Sequence, residues 1–171
     1  MNYNPKFKST KIQVEIMADT YKLKYLRGIR LQVFLAAANR IIPPDEDSVG
    51  GGTLTTAAIV DLIMDRLEPD LRRKLLMLFL IINPLGILFG GKTFSKTNAK
   101  NQDRLLAWME RNPISGLRLG FFGLKSYVCM GYYSREDIWK VIKYDGPMRY
   151  DQPFHDATLR GLAQNKVEIT E

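Results

Sequence analysis

Apolar residues recur three and four positions apart along most of the chain, the spacing that places them on one face of a helix. Over Tyr21 to Ile41 the series is Leu23, Leu26, Leu31, Phe34, Leu35 and Ala38, with Gly28 as a weak point. Pro43 and Pro44 stop it, because proline lacks the amide hydrogen and pushes the preceding residue out of helical geometry. An acidic, then glycine-rich loop follows from Asp45 to Gly52. Thr55 or Thr56 is the expected cap of a helix through Ile59, Leu62, Ile63 and Leu67. Pro69 suits the first turn of the next helix, which places Leu71, Leu75, Leu78, Phe79 and Ile82 inward; Pro84, Gly86, Gly90 and Gly91 are expected to end it.

Ser95, Thr97 or Asn98 caps a helix carrying Leu105, Leu106, Trp108 and Met109, closed by Asn112-Pro113. The next runs from about Ile114 to Met130, with Gly131 as its stop. Gly116, Gly120 and Gly123 share one face, and glycine in a helix interior costs about 1 kcal/mol, so they predict close backbone packing against a neighbour. Ser134-Arg135-Glu136-Asp137 resembles a capping box that opens a short helix with Ile138, Trp139, Val141 and Ile142. The alternation of Ile12, Val14 and Ile16 allows one short strand. The pattern predicts an all-α, single compact domain of about six helices over residues 21–148. A basic tail (1–20) precedes it and a polar tail (149–171) follows.

Composition narrows the chemistry. The chain has 171 residues, 46% hydrophobic and 25% charged, enough for one domain with a core of its own. A single cysteine (Cys129) excludes an internal disulfide, and a single histidine (His155) excludes any mechanism needing two. Cys129, between Val128 and Met130, is expected to be a buried, inert thiol. The longest apolar stretch, Leu75 to Phe89, is about 15 residues and is interrupted by Asn83 and Pro84, short of the ~20 that cross a bilayer. It is expected to be a core helix, the chain not transmembrane. With no signal peptide visible at the N-terminus, a cytoplasmic location is expected, or a periplasmic one if a partner carries the chain out.

Gly86-Ile87-Leu88-Phe89-Gly90-Gly91-Lys92-Thr93 fits G-x-x-x-x-G-K-[ST], the loop whose amides and lysine hold nucleotide phosphates. Its interior is Ile-Leu-Phe, its flanks read as helices, and no strand–helix alternation surrounds it. A glycine-rich turn between helices is the preferred reading, and a nucleotide site the alternative. The net charge of +7 is spread over several elements, including Lys22, Lys24, Arg27, Arg30 and Arg72-Arg73-Lys74. That spread fits a solvated face or an acidic partner better than nucleic acid, which needs cations and exposed aromatics on one face. A basic module for nucleic acid or an anionic surface stays as a further alternative. Asp45, Glu46 and Asp47 fit no calcium-loop spacing.

The ordered run Ile41-Ile42-Pro43-Pro44-Asp45 … Gly131-Tyr132-Tyr133-Ser134 … Tyr144-Asp145-Gly146-Pro147 resembles the small third subunit of the gluconate 2-dehydrogenase type. Thr93-Phe94-Ser95, Leu117-Arg118 and Phe121 to Lys125 lie between these segments, and the resemblance spans about residues 29–148. It implies a helical accessory subunit with no cofactor of its own. The implied partner is a large FAD-dependent dehydrogenase of the glucose–methanol–choline type acting on sugars, sugar acids or alcohols, in some assemblies with a cytochrome c subunit. Many members carry a twin-arginine export signal; here Arg72-Arg73 is internal. On this reading catalytic, cofactor and metal residues are absent from the chain. The expected partner contacts are Pro43, Pro44, Asp45, Lys125, Tyr132, Tyr133, Trp139 and Tyr144, the tyrosines as large rigid anchors and the prolines as a fixed loop.

Overall fold

A computed structural model describes residues 21–145. Over this span the helical periodicity becomes six α-helices: α1 (Ile29–Ile41), α2 (Leu54–Asp65), α3 (Pro69–Gly90), α4 (Ala99–Glu110), α5 (Ser115–Tyr133) and α6 (Glu136–Val141). A 3-10 turn, Phe94–Lys96, joins α3 to α4, and no strand occurs among the described residues. The all-α expectation holds. The expected strand at Ile12–Ile16, both tails and His155 lie outside the described residues.

The core forms where α1 packs on α3 and α4, α2 on α5, and α4 on both α3 and α5. Phe34, Phe79, Phe94, Leu105, Met109, Leu124, Val60 and Met64 are almost wholly buried there, each such side chain worth roughly 1.5–3 kcal/mol. Phe34 and Phe79 meet edge to face, ring centroids 6.2 Å apart. Phe94, on the 3-10 turn, reaches the centre because Gly86 of α3 leaves room: a Cβ there would stand 2.2 Å from the Phe94 amide nitrogen.

Several boundaries differ from the sequence expectation. The first helix begins at Ile29, not near Tyr21, with Gly28 at φ 54° turning the chain into it. Residues 21–26 are held in non-helical form by Asp61. Thr53, not Thr55 or Thr56, caps α2: its hydroxyl accepts the Thr56 amide. That shifts the buried face of α2 to Thr56, Ala57, Val60, Asp61 and Met64, while Leu62 is exposed. Pro69 and Asn98 stand where expected, at the start of α3 and as the cap of α4.

Pro84 does not end α3. The helix runs through it to Gly90 and stops at Gly91, whose φ of 66° favours a residue without a Cβ. At 22 residues, about 33 Å, α3 extends beyond the Leu75–Phe89 stretch and is long and apolar enough to cross a membrane by length and composition. Its fully buried Phe79 and Ile82 nevertheless belong to the core shared with α1 and α4. Gly131 is no stop signal. It lies inside α5 against α2, where a Cβ would come 2.5 Å from Val60 Cγ2 and 3.0 Å from the Thr56 carbonyl oxygen. The capping box also fails to form: Arg135 takes the cap position of α6, and the Ser134 hydroxyl donates back to the Met130 carbonyl at 2.6 Å.

Candidate functional site

The most highly connected polar side chain is Asp61, wholly buried on α2. One carboxylate oxygen accepts the Tyr25 and Leu26 amides at 2.9 and 2.7 Å. The other accepts the Lys24 amide at 2.7 Å and the Tyr21 hydroxyl at 3.0 Å. Burial, then this bond to Asp61, pushes the Tyr21 hydroxyl up to about 12. One turn on, Asp65 accepts from Lys24 Nζ (2.9 Å) and the Tyr25 hydroxyl (2.8 Å). These two bonds, the lysine's first, hold its carboxyl below the usual range. All four acceptor sites of Asp61 are filled from within the chain, so the arrangement is a clasp for the segment before α1, not a base awaiting a substrate.

Arg135 is the second buried charge. Its guanidinium donates to the Thr53 and Thr56 hydroxyls at 3.0 and 3.3 Å and forks onto Asp137, and it lies over the Tyr132 ring. The bond from Arg135 keeps the Asp137 carboxyl below its ordinary range. This joins the N-terminus of α2 to the α5–α6 corner. Arg40 and Asp103 form a two-bond ion pair between α1 and α4, at 2.7 and 2.9 Å. Among the described residues no three His, Cys, Asp or Glu side chains converge as a metal-holding group.

The phosphate-loop pattern falls on the wrong end of a helix. Gly86 to Gly90 form the last turn of α3, and the Gly91 amide is bonded to the Ile87 carbonyl at 2.9 Å. A phosphate loop presents free amides at a helix N-terminus; here the pattern closes a helix C-terminus, whose carbonyl end repels an anion.

The structure gathers four of the expected contact residues. Tyr132 and Tyr133 meet edge to face at 5.1 Å, as do Trp139 and Tyr144 at 5.6 Å, and the Trp139 indole donates to the Tyr133 carbonyl. Tyr132 itself is buried beneath Arg135 and offers no surface, whereas Tyr133 and Tyr144 are about half exposed. Pro43, Pro44 and Asp45 are exposed on a separate loop, where the Asp45 carboxylate accepts the Asp47 and Ser48 amides. Lys125 is exposed beside Arg40, Asp103 and Phe121 on another side of α5. Cys129 is partly exposed, not buried as expected. Trp108 is also partly exposed, tilted against Phe89 at 5.7 Å between ring centroids.

The feature that sequence reading placed inside the protein is the outer face of α3 and α5. From Leu75 to Gly91 α3 carries no charge. It buries Leu75, Leu78, Phe79 and Ile82, yet its other side exposes Met77, Leu80, Ile81, Ile87 and Leu88, the last at 77%. On α5, Leu119 and Phe122 stand 68% and 67% exposed, with Met130 on the same side. Between the helices runs an open groove of about 580 Å³ lined by Leu71, Lys74, Leu75, Leu78 and Ile81 of α3 and by Ile114, Leu117, Leu119, Tyr127, Gly116, Gly120 and Gly123 around α5. The expected close packing of the glycines is met only at Gly120, where a Cβ would come 2.8 Å from Leu78 Cδ1; Gly116 and Gly123 have nothing within 4 Å. The signal was present in the sequence as the uncharged run of α3 from Leu75 to Gly90, apolar around most of its circumference. Periodicity alone does not say whether one chain covers it all.

Compared with family models, curated proteins and solved structures, the chain matches none.

Proposed function

We propose that this protein is a non-catalytic accessory subunit that binds and stabilises a larger polypeptide. The observation that carries this reading is the outer face of α3 and α5: two helices that each leave a contiguous apolar side uncovered among the described residues. A helix of that composition belongs in the middle of a larger assembly or in lipid, and contiguous apolar surface of this kind marks an interaction site. Among the described residues the two buried charges, Asp61 and Arg135, are bonded within the fold, which supports a structural part for them. The resemblance in the sequence names the partner to try first, a large FAD-dependent dehydrogenase of the glucose–methanol–choline type, with the flavin held by that partner and a cytochrome c subunit as an optional third chain.

The mechanism is linkage. A subunit that binds only the folded large chain shifts the large chain's folding equilibrium by RT ln(1 + [L]/Kd), about 2.7 kcal/mol at a hundredfold excess over Kd. Co-expression with such a dehydrogenase from the same genome tests it. The reading expects co-purification and a large subunit that loses solubility, flavin content or activity when expressed alone. A large subunit that is soluble, flavinated and active alone, and never retains this chain, overturns it.

A further inference from the structure

Away from the apolar face, a second open pocket of about 380 Å³ lies at the carboxyl end of α4, between Phe89 of α3 and Pro113. We infer that this pocket binds a nucleoside phosphate, with the base stacked on Trp108 and the phosphate held at the Arg111 end. It shares no residue with the α3–α5 groove, so the inference stands apart from the accessory-subunit reading.

The ring argument comes from Trp108. Arg104, Trp108 and Arg111 stand four and three positions apart along α4 and its cap, which puts the indole between two arginine stems on one helix face. Phe89 holds the indole from the α3 side, with centroids 5.7 Å and planes 59° apart. Trp108 nevertheless stays 39% exposed, and its neighbour Ala107 lines the pocket with no more than a methyl group. An aromatic ring that is held in place, open to the pocket and flanked by guanidinium groups is a platform for a planar base.

The charge argument comes from what surrounds that ring. Both charged residues lining the pocket, Arg104 and Arg111, are cationic. A third guanidinium is pinned at the Arg111 end: Arg118 of α5 donates through Nη1 to the Asn112 and Pro113 carbonyls at 2.7 and 2.9 Å, and both of those residues line the pocket. Planar guanidinium forks suit phosphate oxygens. The carboxyl end of a helix disfavours an anion by about half a charge. Three guanidinium groups outweigh that, and the Ala107 and Met109 carbonyls already accept the Arg111 and Asn112 amides. One cation lies at the Arg104 end and two at the other, with the ring between, which matches a base followed by a phosphate. The volume falls within the roughly 300–1,000 Å³ of small-ligand pockets. A bare phosphate would leave the indole unused, and an uncharged ring would set apolar surface against the arginines.

The test uses the full chain carrying Trp139→Phe, which leaves Trp108 as its one tryptophan. Titration with AMP or GMP in low salt is expected to quench Trp108 emission saturably. Adenosine and ribose 5-phosphate, each carrying half of the recognised chemistry, are expected to bind about tenfold more weakly or worse. Arg104→Gln/Arg111→Gln is expected to weaken AMP at least about tenfold at an unchanged Tm, because both side chains are exposed. In the chain that keeps Trp139, AMP should raise Tm, and the arginine double variant should lose that rise. Lys92→Ala should keep both responses, which separates this pocket from the glycine-rich pattern at the end of α3. Absence of both quenching and a Tm rise at millimolar nucleotide overturns the inference. So does AMP affinity unchanged in the arginine double variant, ribose 5-phosphate binding as tightly as AMP, or loss of both responses in Lys92→Ala. Quenching by a single-stranded oligothymidylate or a glutamate-rich peptide, with none by the free nucleotides, overturns it in favour of a polymer.

Discussion

Removing the Asp61 carboxylate should unclasp the segment that precedes α1. In Asp61→Ala three backbone amides (Lys24, Tyr25 and Leu26) and the Tyr21 hydroxyl lose their acceptor at once. The Leu26 bond is fully buried and the other three partly so. A buried donor left unsatisfied costs about 1–3 kcal/mol, less where water reaches it. Summing one full loss and three partial ones, with relaxation of 21–26 into solvent offsetting some of it, gives about 3–5 kcal/mol. Asp61→Asn keeps the shape and one acceptor oxygen but turns an amide donor toward the Lys24 amide, so about 2–3 kcal/mol is expected. Urea denaturation followed by circular dichroism measures both. For a domain of this size 3 kcal/mol lowers Tm by roughly 10 °C. Hydrogen exchange should lose protection at Lys24, Tyr25 and Leu26 before the helices open. An Asp61→Ala protein within about 1 kcal/mol of wild type, or protection at those amides unchanged, refutes the clasp.

Other consequences are as direct. Gly131→Ala forces a methyl against Val60 and the Thr56 carbonyl and should destabilise by about 1–3 kcal/mol, whereas Gly116→Ala and Gly123→Ala, facing open space, should each stabilise by about 0.5–1 kcal/mol; thermal melts of the three single variants decide. Asp65 and Asp137 are held below the ordinary carboxylate range in the fold, so their contribution is complete above about pH 4 and is lost as pH falls below it. Tyr21 is raised from 10.0 to about 12, so its contribution is complete below pH 10 and disappears between about 10 and 12 as the unfolded chain ionises first; denaturant midpoints across pH 2–12 trace both edges, and Tyr21→Phe should flatten the alkaline one. Lys92→Ala should leave Tm unchanged with or without magnesium-ATP, because Lys92 follows the carbonyl end of α3 and not a helix N-terminus; a nucleotide-induced rise in Tm that the substitution removes would restore the phosphate-loop reading.

The helices were legible where apolar spacing and local caps agree. Pro69, Asn98 and the Asn112-Pro113 stop mark α3, α4 and the end of α4 by rules that act within a few residues. What lay beyond local rules was set by contacts distant in sequence. Tyr21 to Leu26 carry a helical pattern, yet Asp61, 35 residues and more away, captures their amides. Gly131 has the composition of a stop signal, but it is kept for the passage of Val60 and Thr56 of α2. Pro84 sits on the outer side of α3, where the helix continues past it. The site was the least legible part. Tyrosines near a turn drew attention as anchors, and one of them is core; Leu71, placed on the inward side of α3 by its spacing, is surface. Hydrophobic periodicity identifies which residues avoid water, not which chain shields them.

The central claim is that the α3–α5 face is shielded by another polypeptide, and Ile81→Glu/Leu119→Glu tests it most directly. Both side chains line the groove and are already 46% and 68% exposed, so the variant should melt within a few degrees of wild type. The measurement is retention of the co-expressed flavoprotein dehydrogenase on the tagged chain. Loss of retention at unchanged Tm is the predicted result; full retention by the doubly charged variant would contradict the account.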